Sequence, residues 1–169
     1  MTNLANHERD ELLRTLAERR EFLRTTIAGM STEQAGRQST VSALCLGGLV
    51  KHVADTESAW IAFIEGGAAA IDAEAATQGD RDDSFRLLPG ETVDGVLDRY
   101  RAVAERTEAV VRALVDLDES HPLPDAPWFP PATSWSARRV VLHLIGETAQ
   151  HAGHADIIRE AIDGAKTMG

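Results

Sequence analysis

Cysteine is almost missing from this chain. Cys45 is the single one among 169 residues, so no internal disulfide can form, and a reducing compartment such as the cytoplasm fits best. Lysine is nearly as scarce: apart from Lys51 and Lys166, every basic residue is an arginine. Acidic residues outnumber basic ones by 27 to 17, which gives a formal net charge of −10. That balance excludes partners that need clustered Lys and Arg, namely nucleic acid and anionic membrane surfaces. No apolar run approaches the roughly 18 to 20 residues of a membrane span. The N-terminus, MTNLANHERDELLRTL, lacks the basic-then-apolar pattern of a secretory signal. The expectation is a soluble, intracellular protein, and its arginine and alanine usage points to a GC-rich bacterial genome. Residues 1–169 are expected to form one domain, long enough to bury a core without disulfides or a structural metal.

Strand patterns and internal repeats are also absent, whereas helical periodicity is strong. Four segments carry it. The first runs from Asn6 to about Gly29, with Leu12, Leu13, Leu16, Phe22, Leu23 and Ile27 at helical spacing. The polar stretch STEQAGRQST separates it from a second, from about Ser42 to Glu65, closed by Gly66 and Gly67. The third starts at Thr92, an N-cap after Pro89 and Gly90, and reaches about Leu117. The fourth begins near Ser134 or Ser136 and ends at Ile162, just before Gly164. Two connections are long, and such loops are uncommon in compact domains and often functional. Residues 66–91 are long enough to cross a bundle end to end, so that helices two and three run parallel. The other, DESHPLPDAPWFPPATS, holds five of the six prolines and suits either a rigid, partly apolar lid or a packed cover over one bundle end. The fold class is all-α, a four-helix bundle, in which metal and ligand sites are built from inward-facing side chains of different helices.

The fourth helix carries the chemistry, in HLIGETAQHAGHADIIRE. With His143 at zero on the helical wheel, His154, Glu147 and His151 fall at about 20°, 40° and 80°. They flank the apolar stripe of Val140, Leu144, Ala155, Ile158 and Ile162. Along the axis His143 and His154 are ~16 Å apart, too far to share an ion. Three pairs at i,i+3 or i,i+4 remain open: His143 with Glu147, Glu147 with His151, and His151 with His154. A residue from a second helix must complete any site. His52, in KHVADTESAW, lies at the edge of the helix-two apolar face, while Cys45 sits ~10 Å further back. His7 and His121 read as surface residues. An alternative without metal is a row of semi-buried histidines with ordinary hydrogen bonds.

The stretches LGGLVKHVADTESAW, LLPGETVDGVLDRYRAV and VVLHLIGETAQHAGHADIIREAIDG, in that order, resemble a family of unassigned function in the DinB-like superfamily, which includes mycothiol-dependent S-transferase-like proteins. The resemblance implies a four-helix bundle with a long crossover between helices two and three. It also implies one metal-ligating histidine on helix two and an H-x-x-x-H pair on helix four. Laid on this sequence, the ligands become His52, Glu147 and His151, with glutamate where many relatives have histidine. Thiol-dependent maleylpyruvate isomerases of the superfamily are similar in using His, Glu and His. His154 then becomes a residue next to the ligands or in contact with substrate, with Asp55 and Glu57 nearby on helix two. If helices two and four are antiparallel, Glu57 is level with His143, and the two are expected to pair. Arg159 is expected to find a buried carboxylate.

Two imidazoles and a carboxylate leave an open position on a divalent ion, the pattern of catalytic zinc. Nickel, manganese and iron accept the same donors. The resemblance implies transfer of a low-molecular-weight thiol, mycothiol or bacillithiol, to small electrophiles in detoxification, and the GC-rich composition favours mycothiol. A thiol-dependent isomerase, a metal hydrolase and a non-enzymatic metal-binding stress protein are the alternatives. A homodimer is compatible with the resemblance, although no helix face stands out as an interface.

Overall fold

The computed structural model describes residues 2–79 and 81–167. The chain order is α1 (Thr2–Ile27), a short α2 (Thr32–Ala35), α3 (Leu46–Ala76), a 3₁₀ turn (Arg81–Phe85), α4 (Val93–Ala113), β1 (Ser120–Pro122), β2 (Ser134–Ser136) and α5 (Ala137–Asp163). The four long helices form the all-α bundle. No helix among the described residues is long and apolar enough to cross a membrane.

Helix ends are set by local side chains. Thr92 caps α4 as its pattern implies, its hydroxyl accepting from the Gly95 N–H at 3.1 Å. Ser136 caps α5 in the same way through the Arg139 N–H. Gly164 ends α5 with φ 78°, a left-handed conformation that glycine adopts without steric cost. The start of α3 departs from expectation. It begins at Leu46 rather than near Ser42, with the Cys45 sulfur as N-cap acceptor for the Gly48 N–H. STEQAGRQST is not all loop either, because Ser31 and Gln34 form a capping box for α2.

Gly66 and Gly67 mark a reversal: the first helical stretch of α3 stops there, as expected, and a second one starts at once. Gly67 takes φ 71° and ψ −155° inside α3. Ser58 then donates to the Glu74 carboxylate, and Gln78 Nε2 donates to the Asp55 carbonyl at 2.9 Å. Sixteen residues of straight helix would separate Ser58 from Glu74 by ~24 Å, so the second part of α3 folds back along the first. His121 closes the bend: its ring lies against Gly67, and Nε2 sits 3.2 Å from the Ile64 carbonyl. It is therefore partly buried, not a surface residue; His7 is exposed.

Cross-helix contacts fix the directions. Lys51 pairs with Glu91, Asp55 with Arg99 and Glu65 with Arg106, so the first part of α3 runs parallel to α4. Glu8 meets Arg138, and the Thr26 carbonyl meets Arg159, so α1 runs parallel to α5. His52 faces His151 and Trp60 faces His143, which makes α3 and α5 antiparallel. Parallel α3 and α4 need the long crossover that residues 77–92 complete. Arg159 caps the end of α1 by donating to the Thr26 and Ala28 carbonyls, and its carboxylate is the nearby Asp163 on its own helix rather than a buried one. The proline-rich connection carries two three-residue strands that the sequence does not signal. They pair antiparallel, His121 opposite Trp135, and pin both ends of the loop to the bundle.

The core divides into two apolar clusters. One gathers Leu23, Ile27, Leu49, Val53, Val96 and Ile158; the other gathers Leu16, Trp60, Phe63, Val111, Val140 and Leu144. Between them lies a polar layer. Glu57, only 1% exposed, accepts from the Arg20 guanidinium through both oxygens and from the Thr107 hydroxyl. This joins α1, α3 and α4 at one height. Breaking a buried bridge from one side leaves an uncompensated charge, at a cost of about 3 kcal/mol or more. Glu57→Gln should therefore lower unfolding stability by about that amount in urea titration. A change below about 1 kcal/mol would show that the bridge is not buried in solution.

Candidate metal centre

Antiparallel α3 and α5 bring two stretches of the polar layer face to face. On α5, Glu147 and His151 are one turn apart and point to the same side, with His151 Nε2 3.4 Å from Glu147 Oε2. On α3, His52 meets them, its ring edge-on to that of His151 with centroids 4.9 Å apart. One ligand atom from each of His52, Glu147 and His151 lies within 4.8 Å of the others. Small side-chain rotations bring such a set to the ~2 Å at which imidazole and carboxylate bind a divalent ion. The donor chemistry fits as well. The hydrogen bond from His151 outweighs partial burial and holds the Glu147 carboxyl below the usual carboxylate range, so it is ionised at neutral pH.

The other histidines of the row take different places. His143 Nε2 is 3.9 Å from Glu147 Oε1, on the far side of the carboxylate from His151 and too long for a hydrogen bond. Its ring packs edge-on against Trp60 and Trp135, each at 5.1 Å. Burial lowers its pKa in spite of the neighbouring Glu147, which keeps the ring neutral at pH 7. His154 lies beyond His151, ring to ring 5.5 Å, and its Nδ1 is buried with no hydrogen-bond partner among the described residues.

Of the two carboxylates expected near His52, one is there. Asp55 lines the same cavity as His52, with the Arg99 guanidinium against one of its oxygens. Glu57 is not, and the expected Glu57–His143 pair does not form. Five residues past His52, it points about 140° away around the helix, toward α1 and α4. Its oxygens are taken there by Arg20 and Thr107. Cys45, buried at the start of α3, contributes no donor to the group.

Beside His52 opens a cavity of about 360 Å³ between α3, its folded-back part and the proline-rich loop. Trp60, Ile71, Trp128 and Phe129 give it an apolar and aromatic wall; Asp55 and Asp72 give it acidic groups. Trp60 is braced from behind by Trp135, stacked at 4.7 Å and 13°. The proline-rich loop thus covers the bundle end through Phe129 and Trp135 and lines the cavity through Trp128. A larger recess of about 700 Å³ lies within that loop and reaches none of the three donors.

Two residues at the centre carry no sequence motif. Ser84 Oγ lies 3.3 Å from His52 Nδ1, and the Phe85 ring stacks on the imidazole at 4.0 Å and 25°. Both were missed on the sequence alone; the one signal that could have led to them is the Gly47–Gly48 pair. A Cβ on Gly48 would meet the Phe85 carbonyl oxygen at 1.9 Å, and one on Gly47 the Leu87 side chain at 2.6 Å.

Comparison with known proteins agrees with this architecture. The sequence profile of a family described as Mycothiol-S-transferase matches residues 11–164. No curated protein is a significant match. A solved structure described as the "conserved protein of locus from Enterococcus faecalis" superposes with a TM-score of 0.66. It covers 92% of this chain and 97% of its own at 17% identity, a likeness of fold.

Burial raises the Asp55 pKa to about 6, against the opposing charges of Arg99 and Lys51. The folded protein therefore holds this proton more tightly than the unfolded chain, whose Asp titrates near 3.9. The stabilisation is complete below about pH 4 and is lost as the pH rises through 6. Asp55→Asn keeps the uncharged form at all pH. Urea titration should find the variant close to wild type near pH 4 and more stable at pH 7.5, by at most about 3 kcal/mol. A difference that does not change with pH would reject this.

Proposed function

The chain belongs to the mycothiol-S-transferase family, and from that premise we propose that it joins a low-molecular-weight thiol, mycothiol or a close analogue, to small electrophiles in a metal-dependent reaction. The observation that carries this reading is the convergence of His52, Glu147 and His151 within 4.8 Å beside a cavity of substrate size. His52 and His151 supply neutral imidazole donors and Glu147 the one negative charge. Three protein donors leave a position open, as catalytic zinc sites do. Zinc is the proposed ion, and the same donors accept nickel, manganese or iron. When bound, the ion favours the thiolate form of a thiol whose free pKa is about 8.5, giving a nucleophile at neutral pH.

The residues around the donors do the rest. Trp60, Phe129 and Trp128 offer flat surfaces against which an electrophile rests with its reactive carbon toward His52. The proline-rich loop and the folded-back part of α3 limit water access from either side. The thiol proton leaves to solvent, the sulfur forms a bond to carbon, and the displaced group of the electrophile departs with its bonding pair. His154, next to His151, and Asp55, in the cavity wall, are proposed substrate contacts.

Glu147→Ala and His52→Ala should each lose bound metal in elemental analysis. They should also lose at least about 100-fold in conjugation of a thiol to 1-chloro-2,4-dinitrobenzene, in line with removal of an essential metal ligand. Full activity in a metal-free variant would refute the mechanism. Turnover of an ester without any thiol effect would instead make the site that of a hydrolase.

A further inference from the structure

We propose that Ser84, on the crossover between α3 and α4, is a positioning residue for the metal centre. Its Oγ accepts a hydrogen bond from His52 Nδ1–H and thereby presents the Nε2 lone pair to the ion. A neutral imidazole carries one N–H and one lone pair, and the partner of one nitrogen decides which of them the other nitrogen offers. Metal-bound histidines generally donate their second N–H to an oxygen for this reason. In this chain the oxygen is the buried Ser84 hydroxyl, 3.3 Å from Nδ1. Phe85 fixes the other degree of freedom, since its ring lies nearly parallel to the imidazole at 4.0 Å and blocks rotation of the ring plane.

The crossover is itself seated on α3. The Cys45 thiol donates to the Phe85 carbonyl at 3.7 Å, and the Leu88 N–H donates to Glu91, which also binds Lys51. Gly47 and Gly48 give the space for this approach, because a side chain at either position would collide with Leu87 or Phe85. Less than two turns of α3 therefore carry both the surface on which the crossover rests and the imidazole that the crossover orients. The long connection between α3 and α4 serves the topology and the metal centre together.

The inference rests on His52 as a ligand, and the test separates the two ideas. The ¹⁵N shifts of His52 in the metal-free protein near pH 8, where an ordinary imidazole is neutral, report its tautomer. Wild type is expected to show Nδ1–H. Ser84→Ala is expected to shift to Nε2–H and to bind zinc about 10-fold or more weakly in chelator competition. Ser84→Thr, which keeps the hydroxyl, restores the Nδ1–H tautomer and the affinity. A role in folding alone would lower the melting temperature of the metal-free protein without moving the tautomer. Nε2–H in wild type, or zinc affinity in Ser84→Ala within twofold of wild type, overturns the proposal. If His52→Ala binds zinc as wild type does, the ligand assignment fails. In that case the tautomer of the metal-free protein still decides whether Ser84 orients the ring.

Discussion

An ionised carboxylate in the middle of a helix bundle costs several kcal/mol unless it is paired and hydrogen-bonded. Glu57 meets that condition by drawing Arg20 from α1 and Thr107 from α4 onto α3 at one height. The apolar core is split above and below this layer, so the helices cannot slide along each other without unpairing the charge. On another side of α3 stand Asp55, ~3 Å away along the axis, and His52, ~7.5 Å away. The bridge fixes the helix of His52 against α1 and α4, while α5, which carries Glu147 and His151, is aligned with α1 by Glu8–Arg138 and by Arg159 on the Thr26 carbonyl. Buried bridges add little net stability over apolar residues, but a wrong register leaves a charge bare.

The second constraint is topological. Parallel α3 and α4 oblige the chain to travel back the length of the bundle, and it does so partly as helix. The left-handed Gly67 turns α3 back on itself, and Ser58 and Asp55 receive the returning segment through Glu74 and Gln78. The crossover then passes directly over the start of α3. A connection that only closed the fold would need no such intimate seat as the Gly47–Gly48 surface provides. Here it supplies two neighbours of His52 and one wall of the cavity.

Charge and shape divide the site. The three candidate donors form a compact polar group at the helix interface, whereas the cavity beside it has one apolar, aromatic side of Trp60, Ile71, Trp128 and Phe129, with Trp60 stacked on Trp135. His143, one turn before Glu147 on α5, packs against Trp60 and Trp135 rather than joining the donors. Burial keeps it neutral, which lets an imidazole sit among tryptophans without leaving a charge unpaired. The family to which the chain belongs is named for a thiol transfer, and the polar group with the apolar surface beside it offers the two environments that the proposed conjugation uses.

Much of this was legible in the sequence. The 3.6-residue period located the four helices and put His143, Glu147, His151 and His154 along one flank of α5. The Thr92 cap, the glycines around the α3 bend and the length of the crossover could all be read. These features depend on neighbours within a few residues, and local geometry is the same in any fold. Three matters were beyond it. Periodicity left three donor pairs open; the resemblance favoured Glu147 with His151, and the antiparallel register of α3 and α5 brings His52 to them. Glu57 was expected to meet His143, yet its direction around α3 turns it to Arg20. Ser84 and Phe85, in a segment without periodicity, reach His52 only because two distant glycines let the crossover down onto the helix. Each of these depends on how one helix is rotated and shifted against another. That relation is set by the packing of the whole core and the pairing of its buried charges, which no short window of sequence contains.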